Sequence, residues 1–575
     1  MLADVQNRAS TQAPLHSYVL ESLPVALPHG SINNDQDFDK ITRDFVNRLS
    51  SLDASDFAKT ATWRDSMALT GTFRTFFSGY SIITAWKKLC HDQHVRDFAS
   101  TGGSARVIRT PGGASWVTVD FTFLAEREPA RTCVGSLYLV PDSENGWKIW
   151  MLTTVIDQLS GHPNVDRYSP RRDEVNGNQN VPQHHLNSEK MSTDFDAVII
   201  GAGQAGLAVA GRLKALGVSY LVVDQMEEIG DNWSTRYRST RLHTPREFAH
   251  LPFERTFQAS EYQEYLDKND LARGFREWVK KLLILTQNIW LSTRIISGQW
   301  FQDSNVYQVD LSVNGRPVSI SSSHVVLATG GYGPQIFYPQ YEDREKFIGT
   351  VIHTQGYKDA MDWKGKKGIV IGTANTAHDV AQDMFTAGLS SVTMVQRGQT
   401  YVLPVQHFKA FSDFTYNSHI PTDKADRMSY SNPWSISRLY LQDFLHNLAA
   451  KEPQRFDDLA NSGFKVERHG DLTYQLTVRR GGHYIDVGTS EKISEGLIKV
   501  KSDSLPVKYT ETGLLFADGS HISADVIVFA TGFSGNLRDT VEELFGPEVA
   551  TRGGIFWGLD EEGELKGAFK PLGRL

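Results

Sequence analysis

The run Phe195-Asp-Ala-Val-Ile-Ile200 leads straight into Gly201-Ala202-Gly203-Gln204-Ala205-Gly206, and this junction constrains the fold more than any other feature of the chain. The first part is the pattern of a short buried strand. Leu207 to Leu216 then reads as a helix stopped by Gly217, and Tyr220-Leu-Val-Val223 as a second strand ending at Asp224 and Gln225. Each glycine has its own task. Gly201 permits the tight turn, and Gly203 lets a pyrophosphate approach the backbone. Gly206 lets the helix pack on the strand, so that the helix N-terminus faces phosphate. Asp224 falls about twenty residues after the turn, where a carboxylate accepts hydrogen bonds from a ribose hydroxyl. A bare glycine turn also occurs as plain structure. With strand, helix and terminal acid in place it reads as a dinucleotide site in an α/β fold, without telling one dinucleotide from another.

The unit occurs twice. Lys366-Lys-Gly-Ile-Val-Ile371 is again a strand pattern, and Gly372-Thr-Ala374-Asn375-Thr376-Ala377 follows it. Alanines stand at the second and third glycine positions. The third tolerates a methyl group between helix and strand, whereas the Cβ of Ala374 crowds the place of a pyrophosphate. The next strand, Ser391-Val-Thr-Met-Val395, ends in Gln396-Arg397-Gly398. A cation where an NAD-binding protein carries an acid suits a 2′-phosphate, and therefore NADPH. The alternative for Arg397 is a surface salt bridge.

A chain of 575 residues implies roughly three or four domains. With 40% hydrophobic and 22% charged residues it has the balance of a soluble globular protein. A net charge of -8 without a clustered basic excess argues against nucleic acid as a partner. No uninterrupted apolar run is long enough for a membrane span, and no leader pattern opens the chain, so a cytoplasmic location is expected. Cys90 and Cys133, the two cysteines, form no framework for disulfides or metal and read as small core residues.

Residues 1–30 show no periodicity and are expected to form a mobile tail. Residues 31–166 begin with a helical stretch around Asp39–Leu52 and continue in strand-like runs at 115–123, 134–140 and 146–153. Helices first and a curved antiparallel sheet after resembles the α+β NTF2-like (SnoaL-like) cone fold, by pattern and without a diagnostic motif. A binding role, or a homodimer formed through this domain, is the expectation for it. Residues 167–193 are polar and read as a linker. His184 and His185 within it lack further ligands at metal spacing, so they read as solvated side chains.

Between the two glycine turns lies Phe347-Ile-Gly349-Thr-Val-Ile-His353-Thr-Gln-Gly-Tyr357-Lys358, an FxGxxxHxxxYK sequence with every fixed position filled. It resembles the identifying sequence of the flavin-containing monooxygenases, in their plant and fungal form, and the resemblance extends over 193–575. It implies two Rossmann-like domains, FAD at the first turn and NADPH at the second. Gly230-Asp-Asn-Trp233 with Arg236-Tyr237 resembles the family's GGxW…RY segment. Leu242-His243-Thr244-Pro245 with Phe248-Ala-His-Leu-Pro252 resembles its LHTP…FxxLP segment, and both imply contact with the flavin. An aromatic-rich loop packed in a core is the plainer reading of Trp233. Asn375 and Asp379 match GxGNSxxD. Thr329-Gly330 and Thr531-Gly532 resemble the paired ATG segments that link the FAD and NADPH domains.

The resemblance places the first part of the FAD domain at 194–339, an inserted NADPH domain at 340–505 and the second part of the FAD domain at 506–575. The closing element of the FAD fold is expected to be missing, because the chain stops at Leu575. The implied activity is reduction of FAD by NADPH and transfer of one oxygen atom of O2, through a flavin C4a-hydroperoxide, to a small organic substrate of secondary metabolism. No catalytic side chain is assigned and no metal is expected. His243 and Thr244 are flavin-site neighbours, and His353 and Tyr357 fit a domain-closing role as well as a chemical one. Tyr357-Lys358 stands where Baeyer–Villiger relatives carry Trp-Pro or Trp-Asp, which tilts the reading toward hydroxylation or heteroatom oxidation. An NADPH oxidase releasing peroxide and a truncated, non-catalytic small-molecule-binding protein remain as alternatives.

Overall fold

The computed structural model describes residues 18–142, 146–168, 193–282, 288–330 and 335–570. Strands β1 (Phe57–Ser66), β2 (Phe73–Phe77), β3 (Val95–Ser100), β4 (Arg106–Arg109), β5 (Ser115–Ala125), β6 (Arg131–Asp142) and β7 (Gly146–Leu159) form one sheet. Their order is β2-β1-β7-β6-β5-β3, with β4 also paired to β5, and only β1 and β7 run parallel. The strand alternation divides the sheet into two working faces. Val117, Val119, Phe121 and Phe123 of β5 join Trp63 and Trp86 in a core closed by α1 (Phe38–Asn47) and α2 (Gly79–Asp92). Trp116 of β5, Tyr138 of β6 and Trp150 of β7 join a different cluster on the other face. Burial pushes the thiols of Cys90 and Cys133 up to about 12, as suits inert core residues.

Residues 18–30 are not a loose tail. Leu20 is buried, Tyr18 packs its ring 5.0 Å from that of Tyr474, and Ala26 O accepts from Trp150 Nε1 at 3.0 Å. This segment is largely extended, so its apolar residues carry no helical period that would reveal their burial. Residues 1–17, and 169–192 with His184 and His185, lie outside the described residues.

The first glycine unit folds as its sequence dictates. β8 (Asp194–Ile200), α3 (Gln204–Leu216) and β9 (Tyr220–Val223) follow in order, and Gly217 closes the helix in a left-handed conformation. The sheet continues with β10 (Ile289–Trp290), β11 (Thr293–Phe301), β12 (Val306–Val313) and β13 (Arg316–Leu327), in the order β10-β9-β8-β13-β12-β11. Ala197 and Ile199 face α3 and α4 (Lys268–Lys281), while Val198 and Ile200 face the opposite layer. A parallel strand covered on both faces needs an unbroken apolar run, and this is why Ala-Val-Ile-Ile is continuous.

The second sheet is parallel throughout, with β14 (Thr350–His353), β15 (Lys367–Ile371), β16 (Ser391–Val395), β17 (Lys499–Lys501) and β18 (Val526–Phe529) in the order β14-β18-β15-β16-β17. α5 (Asn375–Thr386) covers one face. The expected return to the first domain at 506 therefore moves. Tyr509, Leu514 and Phe516 cover the other face of the second sheet, and β18 is its inner strand. The chain crosses back only where Phe533–Ser534 pairs with Gln335–Ile336. Val-Ile-Val-Phe suits a buried parallel strand in either sheet, so its pattern does not tell which one it joins.

The last helix, α7 (Leu537–Arg552), packs Phe545 and Leu544 on the first sheet beside Val309 and Leu311. An element closing that face is thus present, against expectation. Beyond it, Glu564 reaches the N-terminal domain. Its Oε1 and Oε2 each lie 2.7 Å from Arg64 nitrogens, and Oε1 also accepts from Thr75 Oγ1 at 2.7 Å. Both charged side chains are buried. Removing one partner strands the other charge. Glu564→Gln is expected to lower unfolding stability by about 3–5 kcal/mol in urea titration. Replacing both residues, Arg64→Met with Glu564→Leu, is expected to recover most of that loss.

Candidate functional site

The two glycine turns are built alike. Gly201 sits at φ +110 and Gly372 at φ +123, where a side chain is strained. A Cβ on Gly201 would lie 2.5 Å from Ala328 O, and one on Gly372 would lie 2.5 Å from Ala530 O. Each Ala-Thr-Gly segment therefore backs its own turn, Ala328 N–H donating to Ile200 O at 2.8 Å and Ala530 N–H to Ile371 O at 2.9 Å. Thr329 and Gly330 are exposed beside the first turn. Thr531 and Gly532 hold the crossing, since Gly532 O accepts from Phe337 N–H at 3.0 Å.

The first turn fits a dinucleotide on this chain's own packing. A Cβ on Gly206 would stand 1.8 Å from Gly201 O, so glycine is demanded there by the fold itself. A Cβ on Gly203 would approach nothing nearer than Asn232 Nδ2 at 3.4 Å. No protein atom requires Gly203 to be bare, so the space beside it is open to another molecule. Asp224 Oδ2 accepts from Ala202 N–H at 2.6 Å and Oδ1 from Met226 N–H at 2.8 Å. Its carboxylate is fixed at the turn and retains lone pairs for a ribose. Gln225 is exposed next to it. Gln204 and Ala205 line a separate cavity of about 340 Å³ with His250 and Asp426.

At the second turn Ala374 is the N-cap of α5 and supplies no side-chain cap. Asn375 Oδ1 accepts from Ile485 N–H at 2.8 Å, which fixes the side chain and leaves its amide N–H groups and one lone pair for a ligand. Arg397 is exposed just past the end of β16.

Helix α5 also carries the seam between the two sheets. Asp379 Oδ2 accepts from Tyr237 OH at 2.7 Å, and its Oδ1 lies 3.2 Å from His243 Nε2. One turn later Asp383 Oδ2 accepts from Ser239 Oγ at 2.8 Å and from Tyr357 OH at 3.1 Å. Residues four apart on a helix share a face, so both carboxylates meet the 237–243 segment. Burial raises the Asp383 carboxyl and the Tyr237 and Tyr357 hydroxyls above their ordinary values. Asp379 had a motif to announce it. Asp383 did not, although its spacing from Asp379 was a usable signal. Beneath them His378 stacks on Tyr484 at 3.6 Å, and burial lowers His378 and His483 to about 4, which keeps both neutral near pH 7.

The FxGxxxHxxxYK segment lies along this seam. Phe347 is buried against Tyr509, and a Cβ on Gly349 would meet Asp525 O at 2.4 Å. His353 ends β14 with its ring between those of Tyr338 (5.4 Å) and Phe533 (5.7 Å), and burial lowers its pKa. Lys358 O accepts from Arg238 N–H at 2.8 Å. Of these contacts, the Arg238–Lys358 backbone bond joins the first unit to the second, while Phe347 and Gly349 pack within the second unit.

Above the seam opens a cavity of about 1520 Å³. Trp233, His243 and Thr244 come to it from the first unit, with Arg236, whose guanidinium lies 5.2 Å over the Trp233 ring. Asn375 and Thr376 come from the second turn, and β4–β7 supply a third side. The sequence patterns did not disclose that third side.

Residues 198–410 match the family model described as pyridine nucleotide-disulphide oxidoreductase. The FAD-containing monooxygenase EthA of Mycolicibacterium smegmatis is 24% identical over 393 residues, 66% of this chain and 75% of the relative. The probable indole-3-pyruvate monooxygenase YUCCA3 of Arabidopsis thaliana is 27% identical over 353 residues, 60% of this chain and 75% of the relative. This chain is similar to flavin-containing monooxygenases. Among solved structures, an oxidized steroid monooxygenase bound to NADP aligns with a TM-score of 0.47 at 18% identity, covering 61% of this chain and 73% of the other.

The two inner glycines are expected to behave differently. Gly206→Ala is expected to unfold the first unit, seen as a lower melting temperature. Gly203→Ala is expected to keep the melting temperature of the flavin-free protein and lose flavin retention on gel filtration. Equal flavin retention by Gly203→Ala would remove Gly203 from the account.

Proposed function

We propose that this protein is an FAD-containing monooxygenase that uses NADPH and O2 to place one oxygen atom in a small organic molecule. One arrangement carries the reading. A single cavity is lined by the segment downstream of the first glycine turn and by the start of the second, and Tyr357 of the FxGxxxHxxxYK segment bonds Asp383, one helical turn from the lining residue Asp379. FAD, when bound, supplies the redox chemistry between NADPH and O2. Gly201, Gly203, Gly206, Asp224 and Gln225 would hold it at the first turn. Gly372, Asn375, Thr376 and Arg397 would hold NADPH at the second. The chain's own work is to orient both, to position Trp233, His243 and Thr244 at the cavity, and to keep water out. The Asp379 carboxylate holds His243 through Nε2 and so fixes the ring at the cavity wall.

The N-terminal domain, with two helices backing a mixed sheet, supports the NTF2-like reading. Its free-standing use as a dimer contact is narrowed, because one sheet face is turned to the chain's own cavity. A homodimer would use the helical side or an edge. No helix among the described residues is long and apolar enough to cross a membrane. Oxidation of apolar metabolites of secondary metabolism suits the lining.

The test is NADPH consumption under 18O2 with a panel of apolar ketones, amines and thioethers. Incorporation of one labelled oxygen atom, with peroxide yield falling below NADPH consumed, is expected. Peroxide equal to NADPH for every compound would favour the oxidase. A preparation that neither binds FAD nor consumes NADPH would favour the non-catalytic reading. Arg397→Ala is expected to raise KM for NADPH by about tenfold, while that for NADH changes little.

A further inference from the structure

We propose that the N-terminal domain is the substrate-selecting wall of the cavity, and that the molecule it selects is an apolar compound of several fused rings bearing a carbonyl or hydroxyl group. The proposal deepens the monooxygenase reading and rests on it for the chemistry, though not for the binding.

The wall is aromatic and belongs to no dinucleotide motif. Trp116 and Trp150 lie 5.1 Å apart between ring centroids, and Tyr138 meets Trp150 edge-on at 6.5 Å. All three line the cavity from the sheet face opposite the domain's own core. α6 (Trp434–Ala449), whose Ile436 packs in the same cluster as Trp116 and Trp150, brings Phe444 to the same cavity, with Phe411 5.6 Å from it. A lining rich in aromatic rings selects flat, extended apolar surface. The volume of about 1520 Å³ exceeds the roughly 300–1,000 Å³ of an ordinary small-molecule site, so there is room for more than one ring.

The same wall also holds polar groups. Arg106 and Asp120 pair at 3.6 Å, and Ser136 Oγ donates to Asp120 at 2.8 Å. Arg106 lines the cavity with its side chain 41% exposed, and its guanidinium offers donors to a ligand that brings an oxygen. The wall is fixed to the rest of the chain. Tyr138 OH donates to Asn432 Oδ1 at 3.0 Å, Gly112 N–H to Asp443 Oδ2 at 3.0 Å, and the Arg64–Glu564 pair locks the far side.

The test uses the purified full-length protein with FAD bound, and 1-acetylpyrene and acetophenone as probes, with affinities from calorimetry. The four-ring ketone is expected to bind at least about tenfold more tightly than the one-ring ketone, from its larger buried apolar area. Trp116→Ala and Ile108→Glu are each expected to weaken 1-acetylpyrene by about fivefold or more, while acetophenone affinity and ketone-free NADPH oxidation stay within about twofold of the parent. Ile108 lies half-buried on the edge strand β4, so its variant keeps the fold even if the tryptophan variant does not. Equal affinity for both ketones, or unchanged 1-acetylpyrene binding in a folded Ile108→Glu variant, would overturn the proposal. Loss of flavin and of NADPH oxidation in the parent protein would instead overturn the monooxygenase reading, and ring-size selectivity would still report on the wall.

Discussion

The carboxylate of Asp379 is the contact on which the site depends. It sits near the start of the helix that follows the second glycine turn, and it holds Tyr237 and His243 of the first unit. Two Rossmann-like sheets joined only by crossing strands would be free to shift against each other. Asp379, with Asp383 one turn further on, ties the 237–243 segment to the helix that would carry NADPH. A buried carboxylate that accepts from Tyr237 and lies beside the His243 ring is costly to break, because separating the units leaves donor and acceptor unpaired. The cavity lies directly above this seam, so its floor is defined by an interaction between domains and not by either alone.

The N-terminal domain enters the same logic from the other side. Its sheet has one face committed to its helices and one face to the cavity, a division set by the period of two in β5–β7. The buried Arg64–Glu564 pair holds the domain against a segment that follows the last helix, so distant parts of the chain close one chamber. An ion pair taken out of water adds little net stability compared with an apolar pair of the same shape. Its value here is in fixing geometry.

Much of this was legible in the residues. Gly201, Gly206 and Asp224 stand where the fingerprint puts them, because tight turn, helix contact and strand end are local demands. The strand runs of the N-terminal region were equally local. What could not be read was partnership over distance. Val526–Phe529 suits either parallel sheet, and only pairing with β14 and β15 decides. Leu20 gives no periodic signal in a segment that is mostly extended. The even-numbered aromatics of β5–β7 look like an ordinary second face until the cavity lies against them. Asn375 matched a cofactor pattern yet its side-chain oxygen bonds Ile485, which shows how a motif residue is shared between fold and site.

The central claim is that the two glycine turns hold FAD and NADPH close enough to exchange electrons over one cavity. Anaerobic titration of the purified protein with NADPH, followed in the visible flavin band, tests it most directly. The account predicts a flavin band that bleaches on adding one equivalent of NADPH and returns when air is admitted. A preparation that takes up no flavin when FAD is supplied, or a flavin band that NADPH leaves unchanged, would contradict it.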